Sequence, residues 1–438
     1  MFAFLVDARI ALLNLVEHRR RTIFLGSAVA VVTMLLVLLT ALSTGVRQTL
    51  IHSATTLSTG HLNIGGFYKV TAGQAGPIVT DYEKVLGVAQ KALPEMDFAV
   101  ERGRGWAKVV ADRGSFQSAI NGIDIGAEPA FKKALDIESG NIDDLAKPNT
   151  ILVFEAQAKK LELKVGDAVT ISSQTTRGVA NTIDCRVAAI ARDIGLLSQW
   201  NTFIPNESLR TLYQLRPDVT GAIQIMLKPQ YVEHLAPLAA RLRSSLEQAG
   251  YRVMEPDARP FWMKFQTVSR EDWTGQKYDV TTWEDELQFL MWTLTALNGI
   301  SIVLVVILIA IMVTGIMNTL WIAIRERTRE IGALRAIGMQ RGAVARLFLM
   351  EASALGLLGG CVGVVLGAGV AALVNAAHIP VPKAAQLFLM ADTVHLAVEP
   401  GAVMFAIVLI TLVSGAAALY PSLRAARLRP VDAMSHFG

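Results

Sequence analysis

Glu326 and Glu330 stand four residues apart in a stretch crowded with arginine, among them Arg325, Arg327, Arg329 and Arg335. Neighbouring carboxylates on one helical face repel each other mildly, so a helix carrying them gains from an external partner that supplies positive charge. The chemistry implied is ion pairing across a protein surface. The alternative is a solvated basic loop whose arginines follow only from membrane topology, and the residues alone leave both open. Within Asn318–Gly338, NTLWIAIRERTREIGALRAIG, Ile331, Leu334 and Ile337 at three-residue spacing predict a narrow apolar stripe beside Glu326 and Glu330. Gly338 is placed to end the helix.

Signatures of covalent chemistry are missing from the sequence given. It contains no HExxH, no GxSxG, no Cys/His cluster of metal-ligand spacing and no GxxxxGK[ST] loop. Catalytic residues, metal ligands and cofactor-binding residues are therefore expected to be none. His52 and His61 lack obvious partners and read as ordinary polar residues. Cys185 and Cys361 are too far apart in the topology below to pair, so no disulfide framework is implied.

These residues need a scaffold, and composition points to membrane. Hydrophobic residues make up 52% of the 438-residue chain and charged residues 18%. Apolar runs at 22–46, 287–324, 343–376 and 401–420, the last closed by Pro421, are each long enough to cross a hydrocarbon core of about 30 Å. The first is too long for a cleaved signal peptide and reads as an anchor. Arg19–Arg21 precede the first run, Arg325, Arg327, Arg329, Arg335 and Arg341 lie between the second and third with Arg346 at the start of the third, and Arg424, Arg427 and Arg429 follow the fourth. Positive charge is retained inside, which places both termini in the cytoplasm. In the long segment 47–286 basic and acidic residues nearly balance, so the net charge of +4 does not point to nucleic acid.

The fold class expected is an α-helical membrane protein with four transmembrane helices plus a large α+β extracytoplasmic domain between helices 1 and 2. Residues 1–21 read as a cytoplasmic amphipathic segment, with Phe2–Glu17 suited to the membrane face. In 47–286, helices are expected at Asp81–Leu93 and Tyr231–Gln248, and strands at Met96–Glu101 and Tyr251–Glu255. A β-rich insertion is expected over about 115–216, with strands at Ser118–Ile125, Thr150–Phe154, Ala168–Ser172 and Asp184–Ile190. Asp257–Asp285 reads as a connector to the membrane. Residues 325–342 form a cytoplasmic helix, 377–400 a short outer loop and 421–438 a cytoplasmic tail.

Two features inside the third run stand out. Glu351 is its one acidic residue, and an unpaired charge at the membrane centre costs roughly 3 kcal/mol; its nearness to the cytoplasmic boundary suggests a structural role. Gly356, Gly359, Gly360, Gly363 and Gly367 give small-xxx-small spacings, which read as a helix-packing face.

The segment Asn318–Gly338 resembles the signature of the FtsX-like permease family, which includes MacB-type exporters and LolCDE lipoprotein-releasing permeases. The matching residues are Asn318, Glu326, Arg327, Thr328, Arg329, Glu330, Ile331, Gly332, Leu334, Arg335, Ala336, Ile337 and Gly338. YPSLRAARLRPVDAM at Tyr420–Met434, LELKVGDAVTI at Leu161–Ile171 and TGHLNI at Thr59–Ile64 also resemble family segments. The resemblance implies an ABC permease subunit in the bacterial inner membrane, dimeric with a second copy or a paralogue. It docks on a separate ATPase, which would hold ATP and Mg, through Glu326–Gly338. The ATPase that MacB-type exporters carry fused ahead of the first span is not in this sequence, an arrangement similar to LolCDE and FtsX. Lipoprotein or other lipid-linked cargo is one expectation. An FtsX-like subunit signalling to a periplasmic partner such as a cell-wall hydrolase is the other. A periplasmic carrier or adaptor and membrane lipids complete the implied partners.

Overall fold

The computed structural model describes residues 13–17, 19–71, 74–382, 386, 389 and 393–427. Most of the expected amphipathic segment 1–21 and the tail beyond Arg427 lie outside these residues. The chain divides into a helical unit and an α/β unit.

The helical unit is built on four long apolar helices: Arg19–Ala54, Gln288–Glu326, Arg341–Ala377 and Pro400–Ala426. At about 1.5 Å per residue, the shortest, of 27 residues, still exceeds a hydrocarbon core. Their outward surfaces carry Ile302, Val306, Val365, Leu373, Phe405 and Leu412, a pattern that water would penalise and lipid tolerates. Inward, Val29, Leu36, Met312, Ile316, Ala352 and Ile410 form the shared core.

Backbones approach closely along the third helix. A Cβ at Gly359, Gly363 or Gly367 would sit 2.9 Å from Val29 Cγ1, 2.4 Å from the Ala30 carbonyl oxygen and 3.1 Å from Val37 Cβ. These three, spaced four apart, make one ridge against the first helix. Gly356 faces Ser414 of the fourth helix at 2.5 Å by the same measure, whereas Gly360 has ordinary space.

Pro421 does not close the fourth helix. It lies inside, and the helix runs on to Ala426. Proline leaves only the Ala417 carbonyl without its helical donor, and nearby Ser422 Oγ donates to the Ala418 carbonyl. At the opposite end of the bundle, Asn375 exchanges two hydrogen bonds with the Leu396 backbone, and Ala397 N–H donates to the Ala41 carbonyl.

The α/β unit holds an 11-stranded sheet of order β11-β1-β10-β3-β4-β9-β6-β8-β5, with β2 on β1 and β7 on β3 and β8. The strands are β1 Leu62–Thr71, β2 Gln74–Gly76, β3 Met96–Ala111, β4 Gly114–Ile123, β5 Ile137–Gly140, β6 Thr150–Phe154, β7 Ala168–Gln174, β8 Ala180–Ala191, β9 Asn201–Pro205, β10 Ala222–Leu227 and β11 Gly275–Thr282. Helices form at Tyr82–Ala92 and Leu235–Gln248. The first part of β3 pairs with β10 and its second part, from Gly103, with β4. One strand thus leads directly into the β-rich part.

Two expectations fail here. Tyr251–Glu255 is not a strand; it makes one isolated bridge, Val253 to Tyr278. Asp257–Asp285 is no mere connector, since it contributes a helix at Phe261–Arg270 and β11 beside β1. The physical reason is that GQKYDVTT lacks apolar alternation. Its Asp279 is buried by pairing with Lys264, 2.6 Å away, rather than by hydrophobicity.

A candidate coupling surface in the helical unit

The second long helix ends at Glu326, and a separate helix, Thr328–Ala336, follows it. Arg327 between them has non-helical backbone (ψ 14°). Glu326 and Glu330 therefore do not share one helical face. Their expected pairing on a continuous helix is corrected by this break. Gly338, at φ 110°, follows the helix in the left-handed region where glycine is unstrained.

The short helix has two distinct sides. Arg327, Ile331 and Gly332 are buried, and Ile331 packs with Ile324, Val344, Phe348, Ala425 and Ala426. Arg335 Nη1 donates to the Ala426 carbonyl at 3.0 Å, satisfying a group that the fourth helix leaves open at its end. Glu326, Arg329, Glu330, Ala333, Ala336, Ile337 and Gly338 are exposed, and Thr328 is half-buried, its hydroxyl donating to the Ile324 carbonyl at 2.9 Å. Ile337 is 86% exposed, so it does not continue the stripe begun by Ile331. The side chain of Leu334 lies outside those described.

The family-like segment around Asn318–Gly338 and the tail segment beginning at Tyr420 come together. Trp321 and Tyr420 rings meet edge-on at 6.1 Å, and the Arg424 guanidinium sits 5.2 Å from the Trp321 ring centre. Asn318 is exposed on the second helix. No sequence signal singled out this aromatic and cationic cluster, because its members lie about a hundred residues apart.

Below the short helix lies Glu351, buried and ten residues into the third long helix. Its Oε1 accepts from Arg21 Nη2 of the first helix, and its Oε2 lies 3.6 Å from Arg327 Nη1. Glu351 Oε2 and Arg21 Nε are buried without hydrogen-bond partners. The structural role expected for Glu351 thus acquires specific partners. Arg21 could not be told from its neighbours Arg19 and Arg20 in the sequence.

Among the described residues, no group of three or more His, Cys, Asp or Glu side chains is arranged to hold a metal ion. His61 Nδ1 accepts from the Leu227 N–H at 3.0 Å. Burial first, and His52 second, hold its pKa down at about 4. Cys185 is buried in the α/β unit, and burial pushes its thiol up to about 12, far from a reactive thiolate.

Residues 23–245 match the family of the MacB-like periplasmic core domain, and 302–430 match the FtsX-like permease C-terminal family. The chain is 24% identical over 435 residues to the macrolide export ATP-binding/permease protein MacB of Agrobacterium fabrum (strain C58), covering 95% of this chain and 58% of that protein. It is 36% identical over 127 residues to the ABC transporter permease YtrF of Bacillus subtilis (strain 168), covering 28% of this chain and 29% of that one. The chain thus spans little more than half of the first relative and a smaller share of the second. A solved structure, the periplasmic region of MacB from Actinobacillus actinomycetemcomitans, is similar at 13% identity and TM-score 0.30, over 53% of this chain and 94% of that one.

Proposed function

The chain belongs to the family defined by the MacB-like periplasmic core domain and carries an FtsX-like permease region, and from that premise we propose that it is the permease subunit of an ABC machine. ATP binding and hydrolysis take place on an ATPase partner, with its Mg, and the permease passes the movement to the α/β unit. The observation that carries this reading is the two-sided helix Thr328–Ala336. Its inner side is tied to the fourth helix through Ile331 and Arg335. Its outer side offers Glu330, and Glu326 just before the break and Ile337 just after the helix add exposed charge and apolar contact for the partner. A helix held this firmly moves its neighbours when it is pushed.

The arginine distribution supports an inner-membrane orientation with the short helix and both chain ends in the cytoplasm. The resemblance of Thr59–Ile64 to lipoprotein-releasing permeases supports lipid-linked cargo. The exposed apolar helix surfaces leave room for a second copy or a paralogue to complete the bundle.

Glu330→Arg tests the docking surface. Glu330 makes one long contact, 3.9 Å to Arg327 Nε, with its side chain 70% exposed. The substitution is expected to leave the thermal midpoint within 2 °C or so, as exposed substitutions do, and to lower ATPase activity of the purified complex at least tenfold. Unchanged partner binding and activity would refute the assignment.

A further inference from the structure

Three elements converge on one carboxylate in the helical unit. Arg21 stands near the start of the first long helix, Arg327 at the break before the short helix, and Glu351 inside the third. The cluster is almost dry: Glu351 and Arg327 side chains are 4% and 10% exposed, and that of Arg21 19%. Two guanidinium groups share one carboxylate, so removing its charge would leave two buried cations facing each other. Such an arrangement contributes little net stability compared with apolar packing, but it does impose a specific geometry.

We infer that Glu351 is the joint of the helical unit, a positioning residue that ties the short helix to the arginine-bearing end of the first long helix so that they move as one body. The break at Arg327 makes such a tie necessary. With no continuous helix between Glu326 and Thr328, the short helix, held to the fourth helix by Ile331 and Arg335, needs a separate hold on the first helix if a push on its outer face is to reach it. The Arg327 side chain supplies that hold by reaching Glu351. Arg21, on the same carboxylate, extends the tie to the first helix, whose chain continues into β1 of the α/β unit. The path therefore bypasses the second helix, although that helix is the direct covalent neighbour of the short one.

This inference deepens the permease reading and rests on it for the source of the push, but the tie itself can be measured without a partner. Spin labels at Glu17→Cys and Ile337→Cys, both exposed positions, are placed in the full chain with Cys185→Ala and Cys361→Ser, in lipid nanodiscs. The native Glu351 should give one narrow distance distribution, and Glu351→Gln one at least twice as broad. If Glu351→Gln does not yield a monodisperse protein, Arg21→Gln, which leaves the Glu351 and Arg327 contact in place, takes over the test with the same expected broadening. A distribution as narrow as that of the native chain in the variant measured overturns the inference. Failure of the permease reading would show differently, as a native chain that retains no ATPase while the distance result stands.

Discussion

Two buried ion pairs of the α/β unit join near neighbours, Arg102 with Glu128 and Lys264 with Asp279, separated by 26 and 15 residues, while buried Arg104 reaches across the unit to Glu286. In the helical unit a single carboxylate faces two cations, one of them 330 residues away in the chain. The local pairs close a domain. Arg102 lies beneath Phe131 and Phe203 with its centre 5.2 and 5.8 Å from theirs, and Lys264 locks the helix Phe261–Arg270 onto β11. The Glu351 cluster instead joins the first long helix, the break at Arg327 and the third long helix. The difference is that these two pairs fasten neighbouring segments of one folded unit, whereas the Glu351 cluster links elements remote in the chain.

The sharpest way to break that contrast is to unpair one fastener. Lys264→Met leaves Asp279 buried alone and is expected to lower the stability of the α/β unit by about 3–5 kcal/mol, read by thermal or denaturant unfolding of the full chain. Adding Asp279→Leu should restore most of the loss. If the single variant unfolds no more easily than the native chain, the pair is no fastener. Burial pushes the Asp279 carboxyl up and Lys264 opposes this, so the pair contributes less than its short distance suggests.

A smaller effect comes from pH. His61 titrates at about 4 in the fold against an ordinary value of about 6.5. The unfolded chain therefore binds more protons between those values, and stability falls as pH is lowered through that window. The loss at pH 5 is about 2 kcal/mol. His61→Asn should remove that part of the pH dependence between pH 7.5 and 5 in thermal unfolding scans. An identical slope in the variant would locate the sensitivity elsewhere.

How much was legible follows the same division. The four spans could be read from apolar length, and Thr150–Phe154 emerged as β6 with the expected bounds, because hydrophobic runs announce themselves. The helix Phe261–Arg270 and strand β11 could not, since a buried lysine and aspartate look like surface residues until their partner is known. Around the short helix, Gly338 marked the end, but nothing of proline or glycine type marked the break at Arg327. The three-residue stripe also placed Ile337 with Ile331, although the helix ends before Ile337 can turn inward. Arg335 and the tail around Ala426 met only in three dimensions.

The central claim is that the outer side of Thr328–Ala336 and the adjoining Ile337 receive an ATPase. A photo-crosslinking amino acid at Ile337, activated in native membranes, tests it most directly, with the buried Ile331 position as the control. The account predicts an adduct at 337 with a chain containing a GxxxxGK[ST] nucleotide loop, and none at 331. Adducts at 337 with lipid alone, or with equal yield at both positions, would contradict it.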